Sequence, residues 1–165
     1  MRATEFIKDK FNTWREKQKL PPLPPKQNLF HATFEDFLPS IMKQGLTPNV
    51  ACKMYPKCES GVVYLTTSPR TAAEMLEPES TEINKELISK LSRNGVLLEI
   101  DISKLDPKKF KPDDWIPSSW IGSIHSYKYA GIVPPSALKL RGKFHVDAGY
   151  YNQKQVQGIR PSKFK

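Results

Sequence analysis

The sequence predicts a mixed α+β domain, and three observations carry that expectation. Short apolar runs rich in strand formers occur at Leu29-Phe30, at residues 62–65 and at residues 96–102. Helix-start signals follow the first two runs. Thr33 with Asp36 matches the pattern in which a hydroxyl and a carboxylate three residues on satisfy free backbone N–H groups. Ser68-Pro69 sets an N-cap serine before a proline at the first helical position. Strands and helices do not alternate regularly, which argues against a parallel βαβ architecture.

A chain of 165 residues suits one domain with an enclosed core. Its 38% hydrophobic content and 15 prolines describe a soluble, loop-rich protein. No apolar run approaches the roughly 18 residues that span a bilayer. Met1 to Arg15 is charged throughout and lacks a secretory leader's apolar core, so a cytoplasmic location with no membrane partner is expected. Cys52 and Cys58 are expected as reduced surface thiols. A small disulfide or half of a metal site stays open as an alternative, but no second Cys/His pair at zinc spacing accompanies them and no metal is expected.

The net charge of +9 is concentrated at the two ends. Residues 1–26 carry seven Lys/Arg against three acids, and residues 141–165 carry six against one, which leaves the middle neutral. Basic arms on a neutral body point to a polyanionic partner such as nucleic acid, with simple solubility as the alternative. The chain therefore divides into a basic helix and Pro-rich connector (1–26), a core (27–140) and a basic C-terminal segment (141–165).

Phe6, Ile7, Phe11 and Trp14 at helical spacing predict an amphipathic first helix docked on the core. Residues 19–26, dominated by proline, must be extended. Phe37, Leu38, Ile41 and Met42 give a helix one buried face, and Gly45 stops it. Residues 47–60 form a polar loop, and 71–76 a short helix. Ile83, Leu87, Ile88 and Leu91 define a further helix, ended by Asn94-Gly95. Residues 96–102 are apolar enough for a central strand. A long connector is expected at 103–120, a strand at 124–133 and a short terminal strand at 137–140. Phe144, Tyr150 and Tyr151 among basic residues suit either base stacking or a tail packed on the sheet. The chain contains no P-loop, Gly-x-Gly-x-x-Gly, His-Glu-x-x-His or nucleophile-elbow motif.

The order Leu29-Phe30-His31-Ala32-Thr33, then Gln44-Gly45-Leu46-Thr47-Pro48, then Gly61-Val62-Val63-Tyr64-Leu65-Thr66-Thr67-Ser68-Pro69-Arg70 resembles the ADP-ribosyltransferase superfamily. Within it the match is to the His-Tyr-Glu, diphtheria-toxin and poly(ADP-ribose) polymerase-like branch. The strand at 96–102 and the ending Tyr129-Ala130-Gly131-Ile132-Val133-Pro134-Pro135 continue the likeness, which spans about residues 29–140. The resemblance implies a split β-sheet with flanking helices in a single domain, holding NAD as substrate. His31 would match the histidine that bonds the adenosine ribose. The backbone of Ala32 would receive the carboxamide, and Thr33 is a further candidate NAD contact. Tyr64 would match the tyrosine stacked on nicotinamide, a flat face with cation–π attraction for the charged ring. Thr66, Thr67 and Ser68 would floor the cleft, and Arg70 is a candidate phosphate contact.

The likeness departs at the family's catalytic glutamate, whose matching residue is Ser126, or His125 if the register slips by one. No acid lies between Asp114 and Asp147, while Glu99 sits on a different strand, where the family's carboxylate is structural. A neutral residue weakens stabilisation of an oxocarbenium-like transition state. The expected function is mono-ADP-ribosyl transfer to a nucleic acid, DNA or RNA, or to a protein acceptor, by a monomeric enzyme. The alternatives are RNA 2′-phosphotransfer with NAD as phosphate acceptor, and an inactive nucleic-acid-binding module of the same fold.

Overall fold

The computed structural model describes residues 27–48, 61–76, 86, 89–112, 126–147, 150–151, 156, 158–160 and 162. The expected first helix, the proline connector, Cys52, Cys58, His125 and most of the helix at 83–91 lie outside the described residues. Among the described residues, seven strands make one sheet: β1 (Leu29–Phe34), β2 (Val63–Thr66), β3 (Asn94–Ile100), β4 (Phe110–Pro112), β5 (Ser126–Tyr129), β6 (Leu138–Asp147) and β7 (Tyr150–Tyr151). Their order is β4-β5-β2-β1-β3-β6-β7, and every neighbouring pair is antiparallel. Among the described residues, α1 (Leu38–Gln44) and α2 (Pro69–Glu74) flank it. A mixed α+β single domain is therefore what the chain forms.

The sheet is continuous in order but not in pairing. β1 and β3 share six register pairs, from Leu29↔Ile100 to Phe34↔Gly95. β1 and β2 share one, Phe30↔Thr66. The sheet is thus two well-paired halves, β4-β5-β2 and β1-β3-β6-β7, joined at a narrow seam.

Alternation along the strands fills a core on each face. Phe30, Ala32, Phe34, Leu97, Phe144 and Val146 meet Ala72 and Ala73 of α2 on one face. Leu29, Val63, Leu65, Leu98, Ile100, Phe110 and Tyr129 meet Ile41 of α1 on the other. β3 is buried from Gly95 to Ile100, as a strand covered on both faces must be. Gly95 is fixed by packing, since a Cβ there would lie 2.3 Å from the Phe144 ring.

The helix-start signals fare differently. Ser68 caps α2, its Oγ accepting from the Thr71 N–H at 3.1 Å, with Pro69 in the first turn. Thr33 does not cap anything. β1 continues through Phe34, Thr33 is buried opposite Val96, and the 3₁₀ turn Glu35–Phe37 begins without a side-chain cap. Asp36 instead accepts from the Ser92 N–H at 3.1 Å, because cross-strand pairing with β3 outweighs a local cap.

α1 stops at Gly45, whose φ of 87° and ψ of 178° favour glycine. A Cβ there would sit 2.2 Å from the Val133 oxygen, with which Leu46 forms a two-bond bridge. Met42, expected on the buried face of α1, is instead 43% exposed. Asn94-Gly95 opens β3 instead of ending a helix. The 103–120 connector holds two 3₁₀ turns, Ile102–Lys104 and Pro107–Lys109, followed by edge strand β4. The strand expected over 124–133 ends earlier, the described part being Ser126–Tyr129; residues 124 and 125 lie outside the described residues. The strand expected to end at residue 140 runs to Asp147 and buries Phe144 and Val146 beyond it.

Candidate functional site

The seam between β1 and β2 gathers most of the sequence candidates. Past Phe30↔Thr66 the backbone ladder between the two strands stops, and side chains take over. His31 Nδ1 donates to the Tyr64 carbonyl at 2.9 Å. On the other side of the register pair, Gln27 Nε2 donates to the Thr67 carbonyl at 3.4 Å. Two side chains therefore bridge strands that the backbone leaves unpaired. His31 is inside β1, not at its end; only its pairing toward β2 ends beside it.

This bond settles the chemistry of the imidazole. A carbonyl can only accept, so Nδ1 carries the proton and, in the neutral ring, Nε2 presents a lone pair. Burial pushes the His31 pKa below its ordinary value, against the upward pull of the Tyr64 hydrogen bond. The neutral ring is thereby favoured at pH 7. His31 and Tyr64 both remain partly exposed. The imidazole touches the backbone of Tyr64, while the Tyr64 side chain leaves β2 on the face away from Val63 and Leu65.

Thr66 is the centre of the row that crosses the seam. It is in register with Phe30 of β1 and with Ser126 of β5, so residues from three strands lie side by side there. Thr66 is buried, and its Oγ1 accepts from the Ser68 N–H at 3.3 Å. Ser126, half-buried, donates from Oγ to the Leu65 carbonyl at 3.3 Å. Ala32 is buried within the β1–β3 ladder opposite Leu97. Thr67 follows β2 directly, half-buried. Arg70 lies on α2 with its Nε 2.7 Å from Glu74 Oε1, an exposed (i, i+4) pair.

Alternation on β5 also exposes residues that motif reading passed over. Tyr129 packs in the core with Phe110, and Tyr127 lies against the same cluster; Ser126 and Lys128 face the other way. Lys128 is in register with Tyr64 on one side and with Lys111 of β4 on the other. The period-2 pattern of Ser126-Tyr127-Lys128-Tyr129 was the available signal. β4, which supplies the second lysine, had no such signal in a three-residue strand.

Glu99 is structural in this arrangement. It is 2% exposed and ion-paired with Arg141, and it accepts from the Ser162 N–H at 2.9 Å and the Ser162 hydroxyl at 2.8 Å. Burial raises its pKa, but the Ser162 and Arg141 hydrogen bonds more than offset this and hold the carboxyl below its ordinary value. Among the described residues, no group of three His, Cys, Asp or Glu side chains converges as a metal site, and no helix is long and apolar enough to cross a membrane.

No protein-family model matches this chain, and no curated protein matches it.

Proposed function

We propose that this protein is an NAD-dependent mono-ADP-ribosyltransferase that modifies a nucleic-acid base. The observation that carries the reading is the His31–Tyr64 hydrogen bond across a seam where strand pairing stops. It supports the split-sheet architecture of the family that the motif order resembles, and it ties the His31 ring to the main chain of Tyr64. Alternation sends the two rings to opposite faces of the sheet, so a dinucleotide held by both would pass through the seam.

In this reading the neutral His31 ring accepts at Nε2 from a ribose hydroxyl of NAD, while Nδ1–H stays on the Tyr64 carbonyl. The Tyr64 ring offers a face to the nicotinamide, attractive while that ring is cationic. Transfer breaks the bond between the ribose anomeric carbon and the nicotinamide nitrogen. The bonding pair leaves with nicotinamide and neutralises it, the acceptor's lone pair forms the new bond on the opposite face, and an acceptor N–H proton is then lost to solvent. Ser126 supplies a hydroxyl where the family has a carboxylate. The missing charge is worth several kcal/mol of transition-state stabilisation, about 3–4 for one well-placed group. An acceptor that is already a good nucleophile, such as a ring nitrogen or an exocyclic amine of a base, suits this wall better than a hydroxyl.

The same observation favours one second reading, RNA 2′-phosphotransfer to NAD. The attacking group there is an RNA phosphate, already anionic, so Ser126 would not have to activate it.

The test is incubation of the full chain with labelled NAD and, separately, DNA, RNA and a protein mixture. Label on DNA or RNA is the expected result. Loss of an internal RNA 2′-phosphate only when NAD is present would replace the first reading with the second. Nucleic-acid binding without NAD turnover would contradict both and leave an inactive module.

A further inference from the structure

We propose that the C-terminal segment from Val156 to Ser162 is a strap docked on the sheet, and that it sets Lys139 and Arg160 as fixed phosphate contacts for nucleic acid. The proposal names the surface that grips the acceptor of the reaction proposed above. It rests on that reading only for the acceptor's chemical class.

The anchors of the strap are spread along its length. Val156 is buried in the cluster that holds Phe30, Leu97, Phe144 and Val146. Ile159 packs against the same cluster, its Cδ1 3.5 Å from where a Cβ would stand on Gly142 of β6. Ser162 donates its N–H and its hydroxyl to Glu99 of β3, and Arg141 donates to both Glu99 and the Ser162 Oγ. The strap thus runs over β6 and β3 on the face that Leu97 and Glu99 share, opposite the Leu98 side. Tyr64 and Ser126 leave the sheet on that same face, because their neighbours Val63, Leu65, Tyr127 and Tyr129 belong to the other.

A buried ion pair is a poor fastener, since apolar groups of similar volume dock as well or better; its best-attested use is to fix register. Glu99 and Arg141 neutralise each other. Lys139 lies opposite Glu99 in the ladder. Arg160 lies two residues before Ser162, within about 7 Å of chain. Both cations are exposed, and among the described residues neither meets an acid; Arg160 donates to the adjacent Ile159 carbonyl. The network therefore holds two uncompensated cations in place around one buried pair. A solubilising tail needs no such fastening, because its charges work in any position. Contacts to phosphates do gain from it, because less freedom is lost on binding. Residues 141–165 carry six Lys/Arg against one acid, so a polyanion that releases counterions at each contact is the partner this end attracts.

The experiment measures binding of dye-labelled single-stranded DNA and RNA oligonucleotides by anisotropy, across a salt series, with the full chain. The proteins are wild type, Lys139→Gln/Arg160→Gln, Ser162→Pro, and Lys43→Gln/Lys108→Gln as an equal charge change elsewhere. Lys43 is on α1, which covers the opposite face, and Lys108 precedes β4 at the opposite edge of the sheet. Two lost contacts should reduce the slope of log K against log salt by about 1.4 and, with the curves meeting at 1 M, weaken binding about 25-fold at 0.1 M. A loss on either DNA or RNA meets this expectation, and the control should bind as wild type does. Ser162→Pro removes both donors to Glu99 and changes no charge. In a protein that still melts cooperatively it should weaken binding about threefold or more, by loosening the strap. The charge variant leaves every anchor in place, so it decides the matter alone where Ser162→Pro does not fold. No loss in Lys139→Gln/Arg160→Gln, an equal loss in the control, or unchanged binding in a folded Ser162→Pro would each overturn the proposal. The NAD-induced rise in melting temperature is read in parallel. Its absence in wild type, with the charge variant's loss intact, would contradict the transferase reading and keep the strap. Its presence, with no loss in the charge variant, would overturn the strap and keep that reading.

Discussion

The imidazole of His31 donates from Nδ1 to the carbonyl of Tyr64 at 2.9 Å, joining residues 33 positions apart where the ladder between their strands has ended. One side chain therefore closes the seam, and in the proposed function its other nitrogen meets the ligand. These two roles separate by mutation. His31→Asn offers an amide N–H near the position of Nδ1 and removes Nε2. It should retain stability to within about 1 kcal/mol, the worth of one hydrogen bond, and lose NAD turnover. His31→Ala should lose both. Urea unfolding and nicotinamide release measure the two effects, and an Asn variant with normal turnover would mean that Nε2 makes no ligand contact.

Protonation of His31 should act in a defined direction. Its folded pKa lies below 6.5, so the folded state takes up a proton less readily than the unfolded chain. Stability contributed by the neutral ring is complete above about pH 6.5 and declines as the pH falls through the lowered value. NAD affinity should follow the same curve, since a protonated Nε2 donates and can no longer accept. Calorimetric titration downward from pH 8 would show affinity flat at the upper end and falling once the pH drops below the lowered value. Affinity that rose on acidification would reverse the assigned proton position.

Restoring a carboxylate at position 126 tests the wall opposite the ribose. Ser126→Glu should raise the rate of nicotinamide release at least tenfold, because a charge near the developing cation acts where the hydroxyl does not. A rate unchanged or reduced, in a protein that melts normally, would place Ser126 away from the reacting carbon.

Glu99 belongs to stability. Glu99→Ala leaves Arg141 without its carboxylate and frees the Ser162 N–H, and should cost about 3–5 kcal/mol in denaturant unfolding. Its lowered pKa adds stability that is present above about pH 4.5 and is lost as the pH falls through the folded value. The variant should therefore show a shallower acid-unfolding curve than wild type.

How much of this was legible beforehand depends on the range of the interaction. Ser68-Pro69 and Gly45 were readable because capping and positive φ are decided within a few residues. The strand expected at 96–102 was readable as central from Val96 to Ile100 because burial on both faces leaves a mostly apolar run, whereas Asp101 and Ile102 leave it for a 3₁₀ turn. Thr33 misled because its local pattern is that of a cap, whereas its neighbour across the sheet, Val96, keeps it in a strand. The strand past residue 140 was hidden because Arg141, Gly142 and Lys143 break the apolar pattern, and Arg141 is accounted for by distant partners, Glu99 42 positions away and Ser162 21 positions away. His31 and Tyr64 were singled out as candidates by the order of motifs. Their hydrogen bond runs through a backbone carbonyl, which no sequence pattern marks, and the Lys111–Lys128 register exists only once β4 and β5 pair.

The most direct measurement is the melting temperature of the full chain with and without NAD. A ligand that binds only the folded form adds about 2.7 kcal/mol at a hundred times its Kd, or roughly 5–10 °C for a domain of this size. Wild type should show that rise and His31→Asn should not. No rise in wild type at millimolar NAD, or an equal rise in both proteins, would contradict a dinucleotide site at the His31–Tyr64 seam.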